Sequence, residues 1–244
     1  PDDQFFFRCH RGVSCWNMCC NGADVTLTPY DILRLTGRLG IRPREFLERH
    51  TVPAILPAND MPVAKLKMSG ADGKGPCTFL SAEGCTVYSD RPATCRYYPL
   101  GQVSVKDKDS ASTRDFHFLV RESYCRGHEE PKLQTVSEFR HEQMVEPYES
   151  ANRGWIDILM KMASWKSAGG PMGKEPALQT KQMFFMVSTD IDAFRRFVFG
   201  SKFLATYDVD AEMAERLKTD DDLLLQLGFD WMKHVLFNES SLSL

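Results

Sequence analysis

The chain has 244 residues, of which 43% are hydrophobic and 26% charged, a composition typical of a soluble globular protein with a substantial core. Its net charge of −3 argues against a broad basic surface, so we expect no nucleic-acid partner. No apolar run approaches the roughly 18 residues of a membrane helix, and we expect no membrane partner. The first residues carry no secretory signal pattern, so we expect a cytoplasmic protein.

Charge and cysteine content divide the sequence near residue 130. Residues 1–130 carry 17 Lys or Arg and 16 Asp or Glu, whereas residues 131–244 carry 13 and 17. All eight cysteines lie in the first of these two parts. We therefore predict a cysteine-cluster metal-binding module over residues 1–130 and a helical module over residues 131–244 that packs on it.

Capping residues and apolar spacing predict two helices early in the chain. Thr28 and Asp31 have the spacing of a capping box, and Gly40 is placed to end the helix that follows. A second, shorter helix is predicted to begin at Pro43, with Phe46 facing inward.

The remainder of the first part is predicted to form loops and short strands. Residues 51–76 are rich in proline and glycine, which is typical of a loop, with one strand near Val63–Met68. Two further strands are predicted at Gln102–Lys106 and Phe116–Arg121, joined by the polar loop Asp107–Asp115.

Residues 131–244 are predicted to be entirely helical. Thr135 and Glu138 have the spacing of a capping box, and helices are expected at Asp190–Phe199 and from about Thr219 onward. One helical face is predicted to collect the apolar side chains of Trp155, Ile156, Leu159 and Met162.

The predicted fold class is therefore α+β and predominantly helical. It consists of a cysteine-rich metal-binding module with short strands and irregular loops, followed by an all-helical module.

The eight cysteines form two groups of four along the sequence. The first group is Cys9, Cys15, Cys19 and Cys20. The second group is Cys77, Cys85, Cys95 and Cys125. Thiolate is a soft ligand that selects zinc, copper(I) or iron–sulfur clusters, and each group meets the demand of a four-cysteine site. A chain of this length does not need disulfides to fold, so we interpret all eight cysteines as metal and cofactor ligands.

The spacing leaves the identity of the metal open. Only Cys15 and Cys19 have the separation of a zinc knuckle, and neither group has a ferredoxin spacing. The adjacent Cys19 and Cys20 reach one tetrahedral ion only with strain, because neighbouring side chains leave the backbone in different directions. This favours a polynuclear or double site, so we expect one or two [4Fe–4S] clusters, with zinc as the alternative.

Basic residues accompany the cysteines. Nearby cations favour thiolate over thiol and offset the negative charge of a thiolate-bound centre. The candidates for this role are Arg8, Arg11, Arg96 and Arg126. The histidines considered as further ligands are His10, His117 and His128.

These motifs occur in the order found in the CxxCxxCC family, a group of cysteine-cluster proteins to which zinc or iron chelation is attributed. The segments that resemble the family are Phe7–Cys20, Leu27–Asp31, Pro76–Leu80, Gly84–Tyr88, Arg91–Pro99 and Cys125–Gly127. The resemblance covers about residues 5–130 and implies a metal-chelating domain.

The early cysteines depart from the pattern in the family name. Five residues separate Cys9 from Cys15 and three separate Cys15 from Cys19, where the name specifies two. This spacing resembles the opening of flagellin lysine N-methylases, whose cysteines look like ligands of an iron–sulfur cluster.

The predicted function is that of an iron–sulfur protein in electron transfer or in an oxidoreductase, acting with a redox or other protein partner. One alternative is a zinc-stabilised scaffold that binds a partner, and another is a metal-dependent modifying enzyme such as a protein methylase. The sequence has no phosphate loop, no zinc-protease motif and no nucleophile elbow, so no catalytic residue is assigned.

Overall fold

A computed structural model of the chain describes residues 3–106, 113–169 and 175–240. In chain order, the strands are β1 (Gln4–Phe6), β2 (Thr51–Ile55), β3 (Pro62–Leu66), β4 (Leu80–Ser81), β5 (Gly84–Cys85), β6 (Leu100–Lys106), β7 (Thr113–Leu119) and β8 (Leu133–Thr135). The helices are α1 (Pro29–Leu39), α2 (Pro43–His50), α3 (Ala93–Tyr97), α4 (Val136–Glu142), α5 (Val145–Ser167), α6 (Leu178–Thr189), α7 (Ile191–Gly200), α8 (Phe203–Thr206), α9 (Ala211–Leu217) and α10 (Asp221–Phe237). Short 3-10 turns lie at Met18–Cys20, Tyr88–Asp90 and Gly127–Glu129. Helices account for about half of the chain and strands for a much smaller share, which confirms the mixed, predominantly helical class.

The chain packs as two compact units, and each is discontinuous in sequence. The cysteine-rich unit combines the described residues of 1–25 and 68–147, and it contains all eight cysteines. The helical unit combines residues 26–67 with the described residues of 148–244. The predicted division at residue 130 into a cysteine-cluster module and a helical module that packs on it stays a prediction.

A short antiparallel ladder closes the cysteine-rich unit. β1 pairs with β8, from Gln4 opposite Thr135 to Phe6 opposite Leu133. The prediction of an entirely helical second part was therefore wrong at β8, which is too short to show a period of its own and forms only through its distant partner. Phe5, Phe7, Leu100, Val136 and Phe139 pack together as a small aromatic core next to this ladder.

The β8 strand leads directly into a capped helix. The Thr135 side chain accepts a hydrogen bond from the Glu138 backbone N–H at 3.1 Å, and the Glu138 carboxylate accepts one from the Thr135 backbone N–H at 2.7 Å. The capping box predicted for α4 is confirmed.

Two hairpins complete the sheets of the cysteine-rich unit. β6 and β7 pair from Leu100 opposite Leu119 to Lys106 opposite Thr113, which confirms the predicted pair of strands. Residues 107–112 of the predicted connecting loop lie outside the described residues. The second hairpin, β4 with β5, contains Cys85 and was not predicted.

The helical unit begins with the two helices that the sequence predicts. Thr28 and Asp31 form the capping box of α1, and Gly40 ends the helix in a left-handed conformation at φ 64°. Phe46 of α2 is fully buried, as predicted. The β2 strand was missed because it contains Pro53, which a two-stranded sheet tolerates on its open edge.

Later helices enclose the main hydrophobic core. Trp155, Met162, Phe184, Phe194 and Leu224 are all buried within it. The predicted apolar face of α5 was wrong at Ile156, which is 42% exposed.

A glycine allows three of these helices to pack closely. A side chain at Gly228 of α10 would lie 2.5 Å from Val187 of α6 and 3.0 Å from Phe194 of α7. Among the described residues, no helix combines the length and apolar character needed to cross a membrane.

Leu224→Ala tests the importance of the helical core. Because Leu224 is fully buried, we expect its truncation to lower the free energy of unfolding by about 2–5 kcal/mol. The matched control is Leu178→Ala, at a residue that is 68% exposed, where we expect a change below about 0.5 kcal/mol. Chemical denaturation followed by far-UV circular dichroism measures both, and equal losses would contradict this account of the core.

Candidate metal centre

The eight cysteines are presented by loops, turns and short elements of the cysteine-rich unit. Cys19 and Cys20 lie in a 3-10 turn, Cys85 ends β5, and Cys95 lies in α3. All eight are free thiols and none is fully buried; Cys9, Cys19 and Cys95 belong to the exposed residues. The thiols are therefore placed near the surface, where a metal or cluster has access to them.

Backbone contacts bring the first cysteines to the last one. The backbone N–H of Arg126 donates a hydrogen bond to the Cys15 sulfur at 3.1 Å. The backbone N–H of Arg8 donates to the Gly127 carbonyl at 3.0 Å. Gly127 fits closely here, since a Cβ at this position would lie 2.7 Å from the Phe7 ring. The segments around Cys9, Cys15 and Cys125 thus lie side by side, although Cys125 is more than a hundred residues away in sequence.

A second set of contacts joins Cys20 to the middle cysteines. The backbone N–H of Cys77 donates to the Cys20 carbonyl at 2.8 Å. The backbone N–H of Phe79 donates to the Cys77 sulfur at 3.5 Å, and Leu80 pairs with Cys85 across the β4–β5 hairpin. Hydrogen bonds from N–H groups to sulfur stabilise thiolate, the form that binds metal.

The turn of that hairpin is held against the N-terminal loop. Gly84 has φ +106°, and a Cβ there would lie 2.9 Å from the Trp16 ring. The Arg11 guanidinium lies 5.2 Å from the Trp16 ring centroid and pairs with the Glu83 carboxylate at 3.0 Å. Glycine is required at this turn because both the backbone conformation and the ring exclude a side chain.

The adjacent pair Cys19 and Cys20 shares a hydrogen bond. The Cys20 thiol donates to Cys19, which lowers the pKa of Cys19 to about 7. The same bond is the largest cause that raises the pKa of Cys20, followed by burial and by the charges of Cys19, Cys95 and Cys77. Near neutral pH, Cys19 is accordingly the thiol of this pair that ionises first.

Crowding among the other thiols opposes their ionisation. Burial, and then the charges of Cys19, Cys15 and Cys125, raise the pKa of Cys9 to about 11. Burial also raises the pKa of Cys77, with a further contribution from the charge of Cys85. A positive ion placed among these thiols relieves this repulsion and replaces their protons.

Arg91 is a candidate functional residue that was not predicted from the sequence. Its guanidinium lies 4.1 Å from the centroid of the Tyr88 ring, donates to the Tyr88 carbonyl at 2.9 Å and also contacts the Gln143 side chain. Burial lowers the pKa of Arg91, while Cys95 and Cys85 are among the charges that raise it. Its own charge lowers the pKa of Cys9 and of Cys85. The sequence did contain a signal for this residue, because Arg91 lies only four residues before Cys95, with Pro92 directly after it.

The arginines predicted beside the cysteines have other partners. Arg96 is buried and donates to the carbonyls of Arg91 and Gln143, both at 2.9 Å. The Arg126 side chain is 52% exposed and pairs with Glu129 at 2.8 Å. Their positive charges lie near the cysteine segments, but their contacts are mainly structural.

The three candidate histidines are also engaged. His10 contacts the Glu130 carboxylate at 2.9 Å, His117 contacts the Arg140 guanidinium at 3.0 Å, and His128 contacts the Val120 carbonyl at 3.1 Å. Within the described residues, no group of three His, Cys, Asp or Glu side chains is placed to hold a single metal ion.

One orphaned polar atom fits a thiolate-bound group. The Tyr98 hydroxyl is buried and has no hydrogen bond of ordinary geometry among the described residues. Burial, and next the neighbouring Cys125 thiol, raise the pKa of Tyr98, so this hydroxyl stays a proton donor. A donor beside Cys125, two N–H groups bonded to cysteine sulfurs and a buried arginine form surroundings suited to a negatively charged metal centre.

The comparisons with known proteins identify the cysteine-containing part of the chain. Residues 8–126, nearly half of the sequence, match the family model CxxCxxCC, described as "putative zinc- or iron-chelating domain". These residues resemble the CxxCxxCC family. The matched range contains all eight cysteines, and the match supports metal binding. No significant match was found among curated proteins or among solved structures.

Gly84→Ala tests the turn that presents Cys85. The control is Gly73→Ala, since Gly73 also has a positive φ, +67°, but has no atom within 4 Å of an added Cβ. We expect the control to cost about 1 kcal/mol of unfolding free energy from backbone strain alone. Gly84→Ala should cost about 1–3 kcal/mol more, because its Cβ meets Trp16. Denaturant titrations compare the two, and equal costs would contradict the close packing of Trp16.

Arg91→Gln tests the buried positive charge. We expect the variant to bind zinc, used as a probe metal, about 10–100-fold more weakly in a chelator competition, because the surroundings of the thiolates lose their cation. Arg126→Gln removes the same charge from an exposed position and should change the affinity less than about threefold. An equal loss in both variants would indicate a general effect of net charge and would contradict a specific role for Arg91.

Proposed function

We propose that the CxxCxxCC domain of this chain binds iron–sulfur clusters, of the [4Fe–4S] type, through its cysteine thiolates and exchanges electrons with a protein partner. The observation that carries this proposal is the presence of eight free thiols on separate segments of one unit, with N–H donors directed at two of their sulfurs. Bound to four thiolates, such a cluster supplies one-electron redox chemistry. Zinc is the second candidate, because the family description names both metals.

The surroundings of the thiols support iron–sulfur binding. Thiolate ligands accumulate negative charge, and the buried Arg91 opposes it from a position that acts on both Cys9 and Cys85. The backbone N–H groups of Arg126 and Phe79 donate to the sulfurs of Cys15 and Cys77. Hydrogen bonds to sulfur and local charge are among the factors that set the reduction potential of a cluster.

Exposure of the thiol region supports exchange of electrons with a partner. Cys9, Cys19 and Cys95 are exposed, so the ligands themselves reach the protein surface. Large apolar side chains beside them are exposed as well: Met18 precedes Cys19, and Tyr124 precedes Cys125. Exposed apolar side chains next to an accessible centre suit a transient redox contact.

The state of the cysteines favours a reducing compartment. Eight free thiols at or near the surface persist where disulfides are kept reduced, as in the cytoplasm. This part of the proposal is consistent with metal ligation, because thiolates rather than disulfides bind the metal.

Metal and sulfide analysis of protein purified without oxygen tests the proposal. We expect about four or about eight iron atoms per chain, an equal amount of acid-labile sulfide and a visible absorption band that bleaches on reduction. A colourless protein with stoichiometric zinc and no sulfide would overturn the iron–sulfur proposal and favour the zinc scaffold. If the bound cluster can be neither reduced nor oxidised, the iron–sulfur assignment stands but the proposed redox role is overturned.

A further inference from the structure

The contacts of the cysteine segments divide the eight thiols differently from their order in sequence. Cys125 belongs with the N-terminal cysteines, because Arg126 donates its backbone N–H to the Cys15 sulfur and Gly127 accepts from Arg8. Cys125 also packs against the aromatic core formed in part by Phe7, two residues before Cys9. These contacts place Cys9, Cys15 and Cys125 together in what we call the first set of thiols.

Cys20 belongs with the middle cysteines. Its carbonyl accepts the backbone N–H of Cys77 at 2.8 Å, and the adjoining residues Asn21 and Pro76 form a β-bridge. The carbonyl of Cys77 accepts from Leu80 at 2.9 Å, and Leu80 is the strand partner of Cys85. Two separate backbone connections thus place Cys20, Cys77 and Cys85 together.

Cys95 joins the second set through Arg91. The charges of Cys95 and Cys85 both raise the pKa of Arg91, so these two thiols lie near the same cation, whose charge also reaches Cys9. The charge of Cys95 also raises the pKa of Cys20.

Apart from the effect of Cys19 on Cys20, the electrostatic effects among these thiols are consistent with the same division. The pKa of Cys9 responds to the thiols of Cys19, Cys15 and Cys125. The pKa of Cys20 is raised most by the hydrogen bond with Cys19 and by burial, and further by the charges of Cys95 and Cys77. The pKa of Cys77 is raised most by burial, and further by the charge of Cys85. The hydrogen bond between the adjacent Cys19 and Cys20 links the two sets.

The position of this pair explains how neighbouring residues serve different sets. Cys19 and Cys20 are consecutive in a 3-10 turn, Met18–Cys20, where successive side chains point about 120° apart at three residues per turn. Asn17 begins the turn in a left-handed conformation, φ 67°, which fixes the direction in which the chain enters it. This geometry allows the side chains of Cys19 and Cys20 to point toward different sets.

We propose that the domain holds two four-thiolate metal centres, and that the division between them falls between Cys19 and Cys20. The ligands of the first centre are Cys9, Cys15, Cys19 and Cys125. The ligands of the second centre are Cys20, Cys77, Cys85 and Cys95. Each set has the four thiolates of a [4Fe–4S] site, and the inference rests on the proposed metal-binding function.

Pairs of serine substitutions distinguish this division from the order in sequence. In Cys9→Ser/Cys125→Ser, both changes fall in the first centre, so about half of the wild-type iron and sulfide should remain after anaerobic reconstitution of the full chain. In Cys9→Ser/Cys20→Ser, one ligand is lost from each centre, and we expect less than about a tenth to remain. Grouping by sequence order gives the opposite result, because it places Cys9 with Cys20 and Cys125 with the others.

The reciprocal pairs provide the matched control. Cys20→Ser/Cys77→Ser should also retain about half of the metal, while Cys77→Ser/Cys125→Ser should retain almost none. Far-UV circular dichroism establishes that all four variants keep the wild-type helical signal. If Cys9→Ser/Cys125→Ser misfolds, Cys15→Ser/Cys125→Ser replaces it, and if Cys20→Ser/Cys77→Ser misfolds, Cys20→Ser/Cys85→Ser replaces it. Each replacement should also retain about half of the metal, whereas grouping by sequence order expects almost none.

The outcomes separate this inference from the proposed function. Loss of all metal in every pair would indicate one shared centre and would overturn the division, as would half retention in Cys9→Ser/Cys20→Ser. If the wild-type chain itself binds neither iron nor zinc under these conditions, the proposed function fails and the division fails with it. A wild-type chain that binds two zinc ions, with the same pattern of half and complete loss, would uphold the division while overturning the iron–sulfur assignment.

Discussion

The antiparallel ladder between β1 and β8 is the constraint on which the first cysteine set depends. It joins residues 4–6 to residues 133–135, and the contacts continue beyond it when Phe7 donates to Lys132 and Arg8 to Gly127. Closing so long a loop costs entropy, although this cost grows only slowly with length. Burial of Phe5, Phe7 and Phe139 beside the ladder offsets that cost, and the small aromatic core therefore determines where Cys9 and Cys125 meet.

Positive charge and hydrogen bonding take the place of a large apolar core around the thiols. Arg96 ties several carbonyls of the 88–97 region and Gln143 together, while Arg91 stacks on Tyr88 and lies among thiols. A buried guanidinium needs both hydrogen-bond acceptors and compensating charge. Carbonyl groups provide the hydrogen-bond acceptors, and thiolates provide the compensating negative charge. The arginine and the ionised cysteines accordingly stabilise each other, which links the charge state of the site to the packing of its loops.

Local features of this structure were predictable from the sequence, whereas the arrangement of the site was not. The capping boxes of Thr28 and Thr135 depend on residues three positions apart, and both are formed. The cysteine content located the candidate site, and the family match agrees with the resemblance read from its motifs. The grouping of thiols depends on contacts between residues as distant as Cys15 and Arg126, which no local pattern encodes. The role of Arg91 was missed for the same reason, since its effect arises from burial beside Cys85 and Cys95.

The discontinuity of the cysteine-rich unit has a consequence for synthesis of the protein. Its first segment emerges from the ribosome well before β8, which it needs as a partner, and residues 26–67 of the other unit lie between its two parts. At typical translation rates of about 5–20 residues per second, Cys9 waits on the order of ten seconds before β8 is available. During that interval the early thiols are exposed on a nascent chain and open to oxidation or to premature capture of a metal. Under the proposed division, the four ligands of the first centre are all present only after Cys125 has been translated, so the complete centre forms after the N-terminal cysteines have emerged.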